Sequence, residues 1–140
     1  MQDVYNKLAE LIKAAVPRFE DKNTLFINKK ILPKDLTARE TIYINGVELY
    51  TEFTELTGGV LSDSEVQIIY IHKTDINTFD QPQEIQDLIK DTLLDNLHLR
   101  PYWYSLKFSI ENNIDTEAEL YEGGYNGFTF NLTITRCEET

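Results

Sequence analysis

Apolar residues recur at helical spacing in two segments of the chain. The first covers about residues 2–15 and ends before Pro17, because the residue preceding a proline disfavours helical backbone angles. The second begins at about Pro82, with Asp80 or Gln81 as its N-cap, and runs to about Asn96. The apolar positions are Val4, Leu8, Leu11, Ile12 and Ala15, and then Ile85, Leu88, Ile89 and Leu93. Both patterns predict amphipathic helices that bury one face.

Strict alternation of apolar and polar residues predicts two strands near the end of the chain. Their apolar positions are Tyr104, Leu106, Phe108 and Ile110, and then Phe128, Phe130, Leu132 and Ile134. This alternation is typical of antiparallel strands with one buried face. Residues 66–72 are mostly apolar, which predicts a strand covered on both faces, and residues 24–27 predict a short strand.

A hairpin is predicted around Asn45 and Gly46, a pair that favours a two-residue type I′ turn. The pair separates residues 41–44 from residues 47–50, both of which have strand-forming composition. In the resulting register Ile44 faces Val47. One face then collects Ile42, Ile44, Val47 and Leu49, and the other collects Thr41, Tyr43, Glu48 and Tyr50.

The order of these elements predicts an α+β fold, helix-strand-hairpin-strand-helix-hairpin, in which two helices pack on one face of a mainly antiparallel sheet. A length of 140 residues corresponds to one domain, residues 1–140. Gly58-Gly59 with residues 62–65, residues 74–81, and residues 112–127 are polar and predict loops. The second sheet face would present Tyr43, Glu48, Tyr50, Lys107, Thr129, Asn131 and Thr133 to water or a partner subunit.

Charge is distributed unevenly along a chain of net charge −11. Residues 1–40 hold 8 Lys and Arg against 6 Asp and Glu, whereas residues 41–140 hold 5 against 18. An acidic surface of this kind repels nucleic acid unless a basic patch overrides it. No apolar run is long enough to span a bilayer and no signal peptide is evident, so we expect a protein made in the cytoplasm.

Five carboxylates of the second helix form what we call the acidic ridge. Their spacing of three or four residues places them on one helical face. They are Asp80, Glu84, Asp87, Asp91 and Asp95. The ridge is either a solvated helix face or a surface aimed at a partner.

Basic residues concentrate before residue 40 and make a candidate contact with a neighbouring subunit or another acidic surface. They are Lys22, Lys29, Lys30, Lys34 and Arg39. In a homo-oligomer, the acidic half of the next copy would be such a surface, so the charge split predicts self-association.

Motifs of known enzymes are absent from the sequence. It contains no phosphate-binding glycine loop, HExxH, GxSxG or CxxC. His72 and His98 are the two histidines, and the lone Cys137 permits neither an intrachain disulfide nor a multi-cysteine metal site. We therefore expect no enzyme activity, no catalytic residue, no metal and no cofactor.

In size and element order the chain resembles the tail-terminator, or tail-completion, proteins of long-tailed bacteriophages, a family that includes minor virion proteins. The matching elements are the helix Val4 to Ala15, the strands at residues 41–50 and 66–72, the helix from about Pro82 to Asn96, and the strands at 104–110 and 128–134.

The resemblance implies a structural virion protein of the neck. It would form a hexameric ring at the head-proximal end of the tail tube, end tube polymerisation, and join the tail to head-completion or connector proteins. Its partners would be itself, the tail-tube protein and those neck proteins, with no membrane involved. Double-stranded DNA would pass through the ring without specific binding, and we expect the acidic ridge to face this channel because a basic lumen would hold the phosphates.

Two other classes fit the composition. An acidic immunity or inhibitor protein would bind a basic toxin or nuclease as a monomer in a one-to-one complex. A small enzyme is the third class, although no nucleophile, base or metal set supports it.

Overall fold

The first predicted helix is present as α1, Gln2–Ala15, in a computed structural model of the chain. The structure describes residues 1–20, 24–47, 53–56, 59–73, 81–113 and 124–139. Helix α1 has Asp3 in its first turn and Lys13 in its last turn, charges that suit the helix dipole. Its buried residues are Val4, Leu8, Ala9 and Ile12. A turn of 3₁₀-helix, Pro17–Glu20, follows and buries Phe19.

Six strands form one mixed, mostly antiparallel sheet in the described part of the chain. They are β1 Leu25–Ile27, β2 Glu40–Gly46, β3 Phe53–Leu56, β4 Gly59–Lys73, β5 Ser105–Glu111 and β6 Tyr125–Glu139. Five follow one another in the order β1-β2-β4-β6-β5, and β3 pairs with β4 outside this path. Strand β1 is parallel to β2, and the other pairs are antiparallel. With helix α2, Gln81–Leu94, these strands confirm the predicted α+β fold and element order.

The two longest strands, β4 and β6, form the centre of the sheet. They pair over 15 residues each, from Gly59 opposite Glu139 to Lys73 opposite Tyr125. At Gly127 the two strands approach so closely that an added Cβ would overlap the main-chain oxygen of Tyr70. Strand β5 pairs with the other edge of β6, which confirms the predicted closing pair of strands.

Both helices pack on the same face of the sheet, as predicted. Of the apolar stripe of α2, Ile85, Ile89 and Leu93 are buried and Leu88 is partly buried. The predicted N-cap positions, Asp80 and the side chain of Gln81, lie outside the described residues. The sheet contributes buried residues from four strands to this core: Ile42, Ile44, Val66, Ile68, Tyr70, Leu106, Phe128, Phe130, Leu132 and Ile134.

The predicted hairpin turn at Asn45 and Gly46 is wrong, because both residues belong to strand β2 and pair with β4. On the opposite edge of β2, the Asn45 side chain exchanges two hydrogen bonds with the main chain of Lys29, each 3.1 Å long. The Gly46 N–H donates to the Asn28 side-chain oxygen at 2.9 Å. These bonds hold the pair extended between two neighbouring segments, which overrides its local preference for a turn. Residues 48–50, the rest of the predicted second strand, lie outside the described part.

The predicted loop at residues 62–65 is also wrong, because strand β4 runs through it. The main chain of these four residues pairs with residues 133–136 of β6. Asp63 also accepts a 2.6 Å hydrogen bond from the Thr135 hydroxyl across the sheet. The other predicted loops, at Gly58-Gly59, residues 74–81 and residues 112–127, are wrong at their ends, because Gly59 begins β4, Gln81 begins α2 and residues 125–127 belong to β6. Gly58 and residues 74–80 and 114–123 lie outside the described residues.

The second face of the sheet is covered by residues 28–39, which we call the strap. The strap includes a 3₁₀ turn, Pro33–Asp35, and contributes Leu36 and Ile31 to a small apolar cluster with Tyr43, Ile69 and Ile71. Tyr43 was expected on an open face, but the strap makes it fully buried, and Thr129 is fully buried as well. Lys107 is exposed as expected, whereas Glu48 and Tyr50 lie outside the described residues.

Candidate interaction surfaces

Helix α2 presents the acidic ridge to solvent. Glu84, Asp87 and Asp91 lie on α2, Asp95 directly follows it, and all four are exposed, whereas Asp80 lies outside the described residues. Among the ion pairs between described residues, none involves these four carboxylates. Asp87 accepts a 3.0 Å hydrogen bond from Gln83 on the same helix. The ridge therefore has the exposure that the residue spacing predicts, with its negative charge uncompensated.

The strap carries the described basic candidates on the other side of the sheet. Lys30, Lys34 and Arg39 are exposed, and the ion pairs among described residues include none of them. Lys29 lies with its Nζ 4.3 Å from the Phe26 ring centroid and 3.9 Å from the Asp35 carboxylate. Lys22 lies outside the described residues.

Main-chain hydrogen bonds fix the two ends of the strap to the sheet. At one end the Asn28 N–H donates to the Ile44 carbonyl at 2.9 Å, and at the other the Lys73 N–H donates to the Arg39 carbonyl at 3.2 Å. Asn28 has a φ of 49°, in the left-handed region that asparagine tolerates better than most residues. The basic side chains therefore project from a segment that is held at both ends and packed on Tyr43 between them.

The acidic ridge and the basic strap lie on opposite faces of the sheet. Helix α2 belongs to the core cluster of the first face, and the strap belongs to the cluster of the second face. A helix with its side chains is about 10–12 Å across, which already exceeds the Debye length of about 8 Å at physiological salt. The two patches of one chain are therefore too far apart to neutralise each other.

A partly buried polar cluster joins the Pro17–Glu20 turn to the sheet. The Arg18 guanidinium donates two hydrogen bonds to the Glu40 carboxylate, 2.7 and 2.9 Å long. Glu40 also accepts a 2.7 Å bond from the hydroxyl of Tyr70, which is fully buried. Burial, and then the bond to Glu40, raises the pKa of Tyr70. Sequence analysis missed this cluster because Arg18 and Glu40 are 22 residues apart and match no motif.

A shallow cavity of about 260 Å³ lies beside His72. Its other lining side chains include the neutral amides Gln83, Gln86, Asn112 and Asn126. The buried Nδ1 of His72 has no hydrogen-bond partner among the described residues. Burial lowers the pKa of His72, although the Glu40 carboxylate opposes this effect. The lining supplies hydrogen bonds but brings together no nucleophile and general base.

Among the described residues, the remaining candidates for chemistry are not assembled into a site. Cys137 is exposed, and the His98 ring bonds the Tyr104 carbonyl at 2.9 Å. The described part of the chain holds no group of three or more His, Cys, Asp or Glu placed to bind a metal ion. It also contains no helix with the length and apolarity needed to cross a membrane.

The fold is similar to that of a solved component of a contractile injection system. The match is a cryo-EM structure of the sheath/tube terminator of an extracellular contractile injection system, PVC, in its extended state. The TM-score is 0.50 and the identity is 8%, and the match covers 94% of this chain and 54% of that chain. This chain therefore spans about half the length of the terminator. No family model and no curated protein matches the sequence.

The similarity covers nearly the whole chain, and at this identity it shows a shared fold. It agrees with the resemblance to tail terminators that the order of elements indicates. Among the described residues, the acidic ridge and the basic strap are the charged patches available for binding, and they lie on opposite faces of the sheet.

Proposed function

We propose that the chain is a structural protein of a phage tail or tail-like particle that ends the tube. The observation that carries the proposal is the fold that it shares, over 94% of its length, with a sheath/tube terminator. A terminator works by binding and not by chemistry, which is consistent with charged surfaces that lack a catalytic arrangement in the described residues. The proposed activity is therefore non-enzymatic and needs no cofactor.

The proposed working form is a closed ring, of six copies if the tube has sixfold symmetry, at the head-proximal end. A ring that caps a tube contacts the last tube layer on one side and the head-completion proteins on the other. Head-to-tail contacts between copies generate rings when the rotation closes. The position of the acidic ridge and the basic strap on opposite faces of the sheet supports this kind of contact.

Deleting the reading frame in the genome that encodes the particle tests the proposal. We expect electron microscopy to show tubes of uncontrolled length that are not joined to heads. The wild-type chain supplied from a plasmid should restore normal length. The variant Ile89→Asp is the matched negative control, because it places a charge at a fully buried position of α2. Particles of normal length that are joined to heads after deletion would contradict the proposal.

The same strain distinguishes the terminator function from the alternative function of an acidic immunity or inhibitor protein. A tagged chain purified from producing cells should be recovered with tube and neck proteins. Recovery of a one-to-one complex with a single basic toxin or nuclease, from cells whose particles are normal without the chain, would favour the alternative.

A further inference from the structure

We propose that the basic strap of one copy binds the acidic ridge of the next copy. The contact is inferred from the placement of charges in one chain, and only its closure into a ring rests on the proposed function. The binding partner of both patches is then a second copy of this chain.

The strap supplies the cationic half of the contact. Lys30, Lys34 and Arg39 are exposed and have no ion-pair partner among the described residues. The segment that carries them is bonded to the sheet through Asn28 and Arg39 and packed through Leu36. Little backbone order remains to be gained on binding, which lowers the entropic cost of association.

Helix α2 supplies the anionic half. Glu84, Asp87 and Asp91 lie on one exposed face of a regular helix whose opposite face is anchored by Ile85 and Ile89. A row of carboxylates at helical spacing offers several alternative partners to long Lys and Arg side chains. Electrostatic complementarity of this kind mainly sets the register and speed of association.

The position of the patches on opposite faces selects the geometry of the contact. A two-fold contact through either patch would place that patch against its own copy and bring like charges together. A head-to-tail contact instead places the strap of one copy on the ridge of the next at every step. Such a contact leaves one free strap and one free ridge in any open assembly, so further copies can add until the rotation between copies closes a ring.

Duplex DNA is the competing occupant of the charged surfaces. A ridge that lines a channel for DNA would face phosphates and no second copy of the chain. The two arrangements require different neighbours for Asp87 and Asp91, so the identity of the group that contacts the ridge decides between them.

Zero-length carbodiimide cross-linking tests the contact directly, because it joins a lysine to a carboxylate only when they touch. Equal amounts of ¹⁴N- and ¹⁵N-labelled chain are mixed at high protein concentration, at a salt concentration of about 0.01 M, where the Debye length is about 30 Å. Mass spectrometry should show mixed-isotope peptides that join Lys30 or Lys34 to Glu84, Asp87 or Asp91. In about 1 M salt, where the Debye length is about 3 Å, these products should decline.

Charge reversal gives a stricter test with three variants. The strap variant combines Lys30→Glu, Lys34→Glu and Arg39→Glu, and the ridge variant combines Glu84→Lys, Asp87→Lys and Asp91→Lys. The swapped variant carries all six changes and keeps the net charge of the original chain. Sedimentation velocity at low salt should show self-association of the strap and ridge variants weakened more than about tenfold, since like charges face each other.

Restoration of the contact distinguishes it from a general effect of charge. The swapped variant should self-associate like the original chain but should not join it, because each mixed contact would pair like charges. An equal mixture of the strap and ridge variants should associate, because every contact between them is again complementary. Lys107→Glu on the edge strand β5, at an exposed position outside both patches, is the control that should change association less than about twofold.

Several outcomes would overturn the inference. They are the absence of mixed-isotope products between strap and ridge, association that survives both single reversals, and a swapped variant that joins the original chain. A ring whose ridge is accessible from its lumen and cross-links to DNA would establish the competing occupant. These measurements use the isolated chain, so they stand apart from the deletion phenotype, and either the contact or the terminator function can fail alone.

Discussion

Two buried tyrosines on opposite faces of the sheet differ in how their hydroxyls are satisfied. Both Tyr43 and Tyr70 are fully buried. The Tyr70 hydroxyl donates to Glu40, whereas the Tyr43 hydroxyl has no hydrogen-bond partner in the described residues. A buried polar group without a partner lowers stability, whereas a bond to a charged acceptor raises it. The same deletion of one oxygen should therefore have different effects at the two positions.

We predict that Tyr70→Phe lowers the free energy of unfolding by about 1.5–3 kcal/mol, because it removes a hydrogen bond to a charged carboxylate. Tyr43→Phe should leave it unchanged or raise it by about 1 kcal/mol, because it removes an unsatisfied hydroxyl. Urea unfolding of the two variants at neutral pH measures both values, and each serves as the control for the other. Equal losses would show that the Tyr43 hydroxyl is satisfied.

Alkaline pH should destabilise the chain through the same residues. Burial, with a smaller contribution from the Asp35 carboxylate, raises the pKa of Tyr43 to about 12 from an ordinary value of 10.0. An acid whose folded-state pKa is raised gives stability that is complete below the unfolded value and is lost as pH rises towards the folded value. Tyr43 alone should account for roughly 2–3 kcal/mol between pH 10 and 12. Thermal unfolding of Tyr43→Phe should show a shallower decline over this interval, and an unchanged slope would contradict the assignment.

The acidic ridge lowers the stability of helix α2, which carries it. Asp87, Asp91 and Asp95 are successive like charges four residues apart, and each such pair destabilises a helix by about 0.2–0.5 kcal/mol. The last turn of the helix contains no basic residue, although a cation there would suit the helix dipole. The helix is held by its apolar stripe on the sheet and not by its surface charges.

We therefore predict that Asp91→Lys stabilises the isolated chain by about 0.8–2 kcal/mol, since it removes two repulsive pairs and adds two attractive ones, each worth about 0.2–0.5 kcal/mol. The same change should weaken self-association, because it lies in the proposed contact. Chemical unfolding measures the first effect and sedimentation velocity the second. Lys90→Ala, at an exposed position of the same helix, provides the comparison for a change outside the ridge. A variant that gains stability and associates normally would separate Asp91 from the contact.

Helices and strands were predictable from the sequence where the apolar periodicity lies within the element itself. Helices α1 and α2 and strands β5 and β6 each carry enough apolar positions at one period to identify them. The Asn45–Gly46 pair was misjudged because its hydrogen-bond partners come from Asn28 and Lys29, 16 to 18 residues earlier in the chain. The polar run at residues 62–65 was misjudged for a similar reason, since its pairing with β6 is not visible locally.

The arrangement of elements was less predictable than the elements themselves. The exposure of the acidic ridge followed from the sequence, because residues spaced three or four apart lie on one face of a helix. The packing of the strap did not follow from the sequence, because its few large apolar residues, Ile31, Leu32 and Leu36, show no periodicity that indicates a sheet face or a core. Only the fold places the basic residues on the sheet face opposite the ridge. This placement gives the two charged patches the arrangement that a head-to-tail contact between copies requires.

In an assembled phage tail, the swapped variant separates the two possible neighbours of the ridge. If strap and ridge bind each other, a genome encoding only the swapped variant should give tails of normal length and normal genome ejection, because every contact is restored and the ridge is covered. If the ridge instead lines the channel, its lysines would meet DNA that carries about one charge per 1.7 Å, and ejection should slow while tail length stays normal. Tail length by electron microscopy and the rate of DNA release measure the two effects. Under the proposed contact, the strap variant alone should give uncontrolled tail length, because its reversed strap meets the unchanged acidic ridge of the next copy. Normal tails from the strap variant would place the basic residues outside the ring contact.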